Sequence, residues 1–314
     1  MRIPAWPLYV GVLLASLAPH AAEPRYRVLV VNTGWYPSVP DIVRRMGDSC
    51  GFAVDSAGQT DSSAASADLS AKNLSRYRAV VMNNTLSAEY AYTTAQRRNL
   101  MGYFRTHGHV AIHFAIERLS EWPEYRAFLG AGEERRSGGT ALIRLDSGAR
   151  ASLQPMIRGM PESASVDENW YAFGISPRLQ PDIQVLYTLD ESTCPNCPKV
   201  SEPNHDHPVV WIREGLEGGR MFYMAMGSGS TMKASPSSRG LLAQAIQWAA
   251  RDSLAAVRIP FVAKPQKIGA SSADLQPAFV QGQWRYPGGY RLRADGKRNG
   301  FDGKPVDHLR SEGR

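Results

Sequence analysis

Short apolar runs alternate with amphipathic stretches over the first third of the chain. Val28-Leu29-Val30-Val31 stops at Asn32-Thr33-Gly34, Ala79-Val80-Val81-Met82 stops at Asn83-Asn84-Thr85, and Val110-Ala111-Ile112 delivers His113. Runs this short, with helix-compatible sequence between them, read as strands buried on both faces and joined by helices, the pattern of a parallel sheet. Helices are expected over 38–50 and 93–106. In the second, Leu100, Tyr103 and Phe104 form an apolar stripe among Arg97, Arg98 and Arg105, which read as a solvated face, and His107-Gly108 supplies the stop. Residues 56–73, rich in Ser, Ala and Asp, read as a surface loop. His107 and His109 read as helix-end and loop residues.

Beyond Trp122 the pattern changes to strands over 140–145, 183–189, 207–213 and 220–226, separated by turns, as expected for extra strands on one edge of a mixed sheet. A helix over 237–251, with Leu241, Leu242, Ala245, Ile246, Trp248 and Ala249 at helical spacing, closes the body. After Pro260 the chain turns to Gly, Pro, Arg and Asp and reads as an extended or disordered appendage. The expected organisation is a leader over 1–22, an α/β domain over 23–260 and a basic Gly/Pro-rich tail over 261–314. Ligands of open α/β sheets bind outside the carboxyl ends of the strands, so Asn32, Thr33, Asn84, Thr85 and His113 point to one shared crevice.

Composition narrows the setting. The 314 residues are 43% hydrophobic, enough for a full core. Arg2, the apolar run 8–17 and Ala21-Ala22 have the layout of a secretory signal, which implies a periplasmic or secreted protein with no stable membrane span after cleavage. The net charge is +7, but residues 261–314 carry +5 of it, so the body has no electrostatic footprint for nucleic acid. The basic tail is instead a candidate contact for an envelope partner.

The pieces VVNTG (30–34), Asn84-Thr85, AIHFA (111–115), WPEYRAFLGA (122–131), DENWYAF (167–173), VLYTLDEST (185–193), DHPVVW (206–211) and GRMFYMAMG (219–227) occur in this order. In them the chain resembles the trehalose-utilization (ThuA-like) family from about residue 27 to 251. The resemblance implies a flavodoxin-like, class I glutamine amidotransferase-like doubly wound sheet with additional strands at one edge, and a carbohydrate as the small-molecule partner. Two histidines frequent in the family are absent: Trp35-Tyr36-Pro37 follows the first strand, and Gly227-Ser228 stands where Gly-His is common. The amidotransferase nucleophile is a cysteine on a strand-to-helix turn. This chain has His113 there, which excludes glutaminase chemistry.

Within that frame His113 is a general acid/base or metal ligand, because neutral imidazole does either at about pH 7. Glu168 is the carboxylate for proton transfer, and His207, entering a strand from the Asp206-His207-Pro208 loop, would position substrate or a metal. Asn32, Thr33, Trp35, Asn84, Thr85, Trp170, Tyr171, Asp206 and Ser228 are the expected substrate-binding residues; Trp170 would offer a flat face to a sugar ring, with core packing the preferred reading of both aromatics. Cys194 and Cys197, followed by His205 and His207, carry two readings: a small disulfide loop, or four ligands for a divalent metal, the one cofactor candidate. The disulfide is preferred, since H-x-H side chains point to opposite faces of a strand. Cys50 reads as a buried thiol left unpaired. The leading functional expectation is an enzyme acting on a sugar or modified glycoside, keto forms included, as a hydrolase, lyase or isomerase. The alternative is a non-catalytic periplasmic carbohydrate-binding or accessory module.

Overall fold

The computed structural model describes residues 23–33, 38–58, 67–83, 91–152, 157, 159–200 and 206–252, together with the backbone of four short strands between 278 and 299. The expected leader over 1–22 lies outside the described residues. The first half runs β1 (Arg27–Asn32), α1 (Ser38–Cys50), β2 (Ala53–Ala57), α2 (Ala71–Leu74), β3 (Ala79–Asn83), α3 (Thr94–Thr106) and β4 (Gly108–Ile112). The remainder runs α4 (Pro123–Leu129), β5 (Glu133–Leu145), α5 (Ser147–Ser152), β6 (Ser163–Phe173), β7 (Ile183–Asp190), β8 (Pro208–Leu216), β9 (Gly219–Met224), α6 (Gly229–Ala234) and α7 (Pro236–Ala249). Among the described residues no helix is long and apolar enough to cross a membrane.

These strands form one sheet in the order β2-β1-β3-β4-β9-β8-β7-β5-β6. The first five are mutually parallel and the last four antiparallel. An order of 2-1-3-4 followed by the next parallel strand is the flavodoxin-like doubly wound arrangement. The antiparallel strands extend one edge of it, with β5, β7 and β8 as the sequence pattern predicts; β9, expected as a further edge strand, instead pairs parallel with β4 in the core, and β6 was not predicted. Every residue of β3 and β4 is buried, which is why their sequences are unbroken apolar runs rather than alternations. α3 begins with a reciprocal cap in which the Gln96 N–H donates to Thr93 Oγ1 at 3.2 Å and the Thr93 N–H to Gln96 Oε1 at 2.9 Å.

Three expectations need correction. Part of the supposed loop 56–73 belongs to β2, an edge strand whose residues are all half-buried and whose Asp55 takes a bidentate bond from Arg27. An edge position tolerates Asp and Ser, so the strand lacks an apolar run. DENWYAF lies in β6, with the six positions from Glu168 to Phe173 all buried. The tail carries β10 (Ala278–Val280), β11 (Gln283–Arg285), β12 (Arg291–Leu292) and β13 (Arg298–Asn299), paired antiparallel in that order, rather than being extended throughout. Two runs separated by Gln281-Gly282 are a hairpin signal that composition alone obscures.

One feature of the sheet positions the site. β5 pairs with β7 only over Leu142–Leu145 but with β6 from Glu133 to Arg144. The rest of the β5–β6 pair is thus free of β7, and the continuous burial of β6 from Glu168 to Phe173 shows that this strand folds against the body. It carries Glu168 and Tyr171 to the end of β4.

Candidate functional site

His113 is the first residue after β4 and has φ +49°, a left-handed conformation that a non-glycine side chain adopts only under constraint. The constraint is close packing: a Cβ on Gly227 would lie 2.9 Å from His113 Cβ and 3.2 Å from Ile112 Cβ, so only glycine fits opposite. Both ring nitrogens are engaged. Nε2 lies 2.8 Å from Glu168 Oε1, and Nδ1 lies 3.0 Å from the Tyr171 hydroxyl. With Nε2–H donated to the carboxylate, Nδ1 accepts from the phenol. The His113 carbonyl accepts from the Tyr223 hydroxyl at 3.3 Å.

Glu168 is held on every side. Oε1 also accepts the Asn169 N–H at 2.9 Å, and Oε2 accepts the N–H groups of Gly227 at 3.1 Å and Ser228 at 3.0 Å. Burial pushes its carboxyl up, but the His113 ring and these amides outweigh burial and hold it below its ordinary value. Burial pushes the Tyr171 phenol well up, so it remains protonated. His207 joins from behind: its Nε2–H donates to the Tyr171 carbonyl at 2.8 Å, while Nδ1 lies 3.0 Å from Glu191 Oε1. Burial lowers the affinity of the His207 ring for its second proton, against the pull of Glu191. His113, Glu168, Tyr171 and His207 therefore form one buried network, in which His207 holds the backbone of Tyr171.

A second buried group adjoins it and escaped sequence reasoning. Arg136, opposite Tyr171 in the β5–β6 register, donates to Glu117 Oε2 at 2.9 Å and lies 4.8 Å over the Phe114 ring. Glu133 sits 3.9 Å from the same guanidinium, and burial with the neighbouring Glu117 pushes its carboxyl up to about 8. In sequence, Glu133-Glu134-Arg135-Arg136 looks like a solvated charge run. Strand alternation gave no signal, because Glu134 and Arg135 are both exposed and the register shifts between Glu133 and Arg135.

At the ends of β1 and β3, Asn83 Nδ2 donates to Asn32 Oδ1 at 2.6 Å, and both residues are buried, as is Thr33. Asn83 was not among the expected ligands; its neighbours Asn84 and Thr85 were. Asn84, Thr85, Trp35 and His205 lie outside the described residues.

Other expectations change. Trp170 is fully buried and its Nε1–H donates to the Gly139 carbonyl at 2.7 Å, so it is core packing and offers no face to a sugar. Asp206 is tied to Arg178 by bonds of 2.7 and 2.9 Å, a structural ion pair. The Ser228 side chain caps α6 by accepting the Thr231 N–H at 3.2 Å, leaving its backbone N–H for Glu168. Cys194 and Cys197 are joined in a disulfide. Both sulfurs are thus bonded to each other and both His207 nitrogens are engaged. The disulfide lies on Gly139, where a Cβ would come within 2.7 Å of Cys194 Sγ. Cys50 is free and buried. His109 is a strand residue of the core, stacked on Phe104 with ring centroids 4.0 Å apart, and burial pushes its pKa down to about 3. Arg97, Arg98 and Arg105 line a cleft of about 580 Å³ with Trp122 and Glu124, bordered by none of the strand-end residues.

Comparison with known proteins agrees with this architecture. The family model described as ThuA, trehalose utilisation, matches residues 27–249. A structure described as a thua-like protein from Bacteroides uniformis is 22% identical, with a TM-score of 0.57, and the match covers 74% of this chain and 94% of that one. Another from Parabacteroides merdae is 17% identical, with a TM-score of 0.55, covering 74% of this chain and 92% of that one. At these identities the likeness is one of fold. No curated protein sequence matches the chain.

Proposed function

The chain belongs to the ThuA trehalose-utilisation family, and on that premise we propose that it acts on a sugar or modified glycoside at the carboxyl ends of β1, β3 and β4. The observation that carries this is the order Tyr171–His113–Glu168, with contacts of 3.0 and 2.8 Å. A carboxylate fixes the ring and leaves the opposite nitrogen facing a hydroxyl, the base-and-orienter arrangement that moves protons in many unrelated enzymes. The phenol stays protonated and holds His113 Nδ1 by its hydrogen bond, and Glu168 balances the charge whenever the ring carries a second proton. His207 is a positioning residue, acting through the Tyr171 backbone. The Cys194–Cys197 disulfide supports export to the periplasm or beyond.

The test is turnover. Wild-type protein incubated with trehalose and with keto derivatives of it is expected to form product, and a folded His113→Ala variant to form none. Equal turnover by the variant would sink the assignment. One observation favours a second reading, a module that binds carbohydrate without chemistry: the His113 and Glu168 side chains have no exposed surface. Calorimetric binding with no product from any of these sugars would select it.

A further inference from the structure

The asparagine pair at the ends of β1 and β3 leaves a chemically defined remainder. After the Asn83-to-Asn32 bond, Asn32 Nδ2, Asn83 Oδ1 and Thr33 Oγ1 are buried with no hydrogen-bond partner among the described residues. The orientation of the amides does not change this. Exchanging N and O in both side chains preserves the bond and only swaps which asparagine keeps the spare NH2 and which the spare carbonyl. Either way one NH2, one C=O and one hydroxyl are left over.

Each such atom is costly to bury unpaired, and folded proteins leave few of them. These three are neighbours: Asn32 is in register with Asn83, Thr33 follows Asn32, and Asn83 is in register with Ile112, the residue before His113. Adjacent strands lie about 4.8 Å apart, so the group borders the His113 network.

We propose that Asn32, Thr33 and Asn83 form a subsite for an uncharged ligand bearing two neighbouring hydroxyls, a specificity that rests on the carbohydrate reading above. A hydroxyl donates and accepts at once, so a vicinal diol satisfies an amide carbonyl and an amide NH2 side by side and leaves a lone pair for Thr33. A phosphate or carboxylate only accepts. It would satisfy the NH2 and set a negative oxygen against the carbonyl. The subsite therefore selects a vicinal diol over a phosphate or carboxylate group.

Titration calorimetry tests this with trehalose and glucose as neutral probes and inorganic phosphate and acetate, which lack a diol, as anionic ones. Thr33→Val is the decisive variant, because it removes only an unpartnered hydroxyl and keeps the side-chain shape. Its melting temperature is expected to equal or exceed that of the wild type while affinity for the neutral probes falls about tenfold. Asn83→Leu, checked for folding, is expected to lose more. Wild-type affinity in Thr33→Val, or anionic probes bound as tightly as neutral ones, overturns the subsite even if turnover is intact. Neutral binding that responds to Thr33→Val, with no product from any sugar, upholds the subsite and sinks the catalytic reading. No binding of any probe by the wild type overturns both.

Discussion

His113 Nε2 lies 2.8 Å from Glu168 Oε1, and neither side chain has exposed surface. Breaking the pair removes a buried charge-assisted contact, although Glu168 keeps its three backbone amides and His113 the Tyr171 hydroxyl. The Glu168 carboxyl is held below its ordinary value because the His113 ring and the neighbouring amides outweigh burial. A carboxyl depressed in the fold contributes stability above its unfolded value of about 4.3, and that contribution is lost as pH falls through the folded value. Glu168→Gln is therefore expected to lower the denaturant midpoint at about pH 7 and to flatten the acid loss of stability below about pH 4.3. Acid slopes that run parallel in variant and wild type would contradict the pairing.

Glu133 titrates in the opposite sense. Burial, then Glu117, pushes its carboxyl up to about 8, with Arg136 and Arg118 pulling the other way. From about 4.3 to 8 it is protonated in the fold but ionised in the unfolded chain, so folding becomes less favourable as pH rises through that window. Glu133→Gln keeps the shape and removes the titration. Its melting temperature should match the wild type near about pH 4 and exceed it by several degrees above about pH 8. The same offset at both ends would show that Glu133 does not titrate this way.

Within the five-strand parallel core β1, β3 and β4 were legible, because strands buried on both faces must be apolar throughout, whereas β9 was read among the extra edge strands. β2 was not, because Asp55 and Ser56 interrupt it at an exposed edge. His113 and Glu168 were each legible as chemistry, one from its place after β4 and one from its motif. Their contact was not: they are 55 residues apart, and what joins them is the stretch of β5 that outruns its pairing with β7. Trp170 and Ser228 differ in this respect. The bond that assigns Trp170 to packing reaches the Gly139 carbonyl 31 residues away, whereas Ser228 caps the Thr231 amide three residues on, a local signal that the motif obscured.

Two glycine substitutions should move stability in opposite directions. On Gly227 an added Cβ meets His113 Cβ at 2.9 Å and His113 N at 3.3 Å, atoms next to the backbone that cannot swing aside. Gly227→Ala is expected to cost about 1–3 kcal/mol and to weaken the amide contacts to Glu168. On Gly102, within α3, an added Cβ meets nothing within 4 Å, so Gly102→Ala should stabilise by up to about 1 kcal/mol. Urea denaturation of both variants checks this, and a stable Gly227→Ala would mean that the turn at His113 is looser than described.

His207 separates positioning from contact. Its Nε2–H is spent on the Tyr171 carbonyl and its Nδ1 faces Glu191, so neither nitrogen remains for a ligand. Burial, outweighing Glu191 and that carbonyl, keeps the ring less basic than in the unfolded chain. A histidine depressed in the fold contributes stability above its unfolded value of about 6.5, and the contribution is lost as pH falls through the folded value. His207→Gln is expected to lower the melting temperature at about pH 7.5, to flatten the decline below about pH 6.5, and to change affinity for neutral sugars less than about twofold. The two measurements together discriminate the roles, because a residue touching the ligand loses affinity whatever its titration does. A tenfold loss of sugar affinity with an unchanged stability profile would move His207 from the support of Tyr171 into the binding surface.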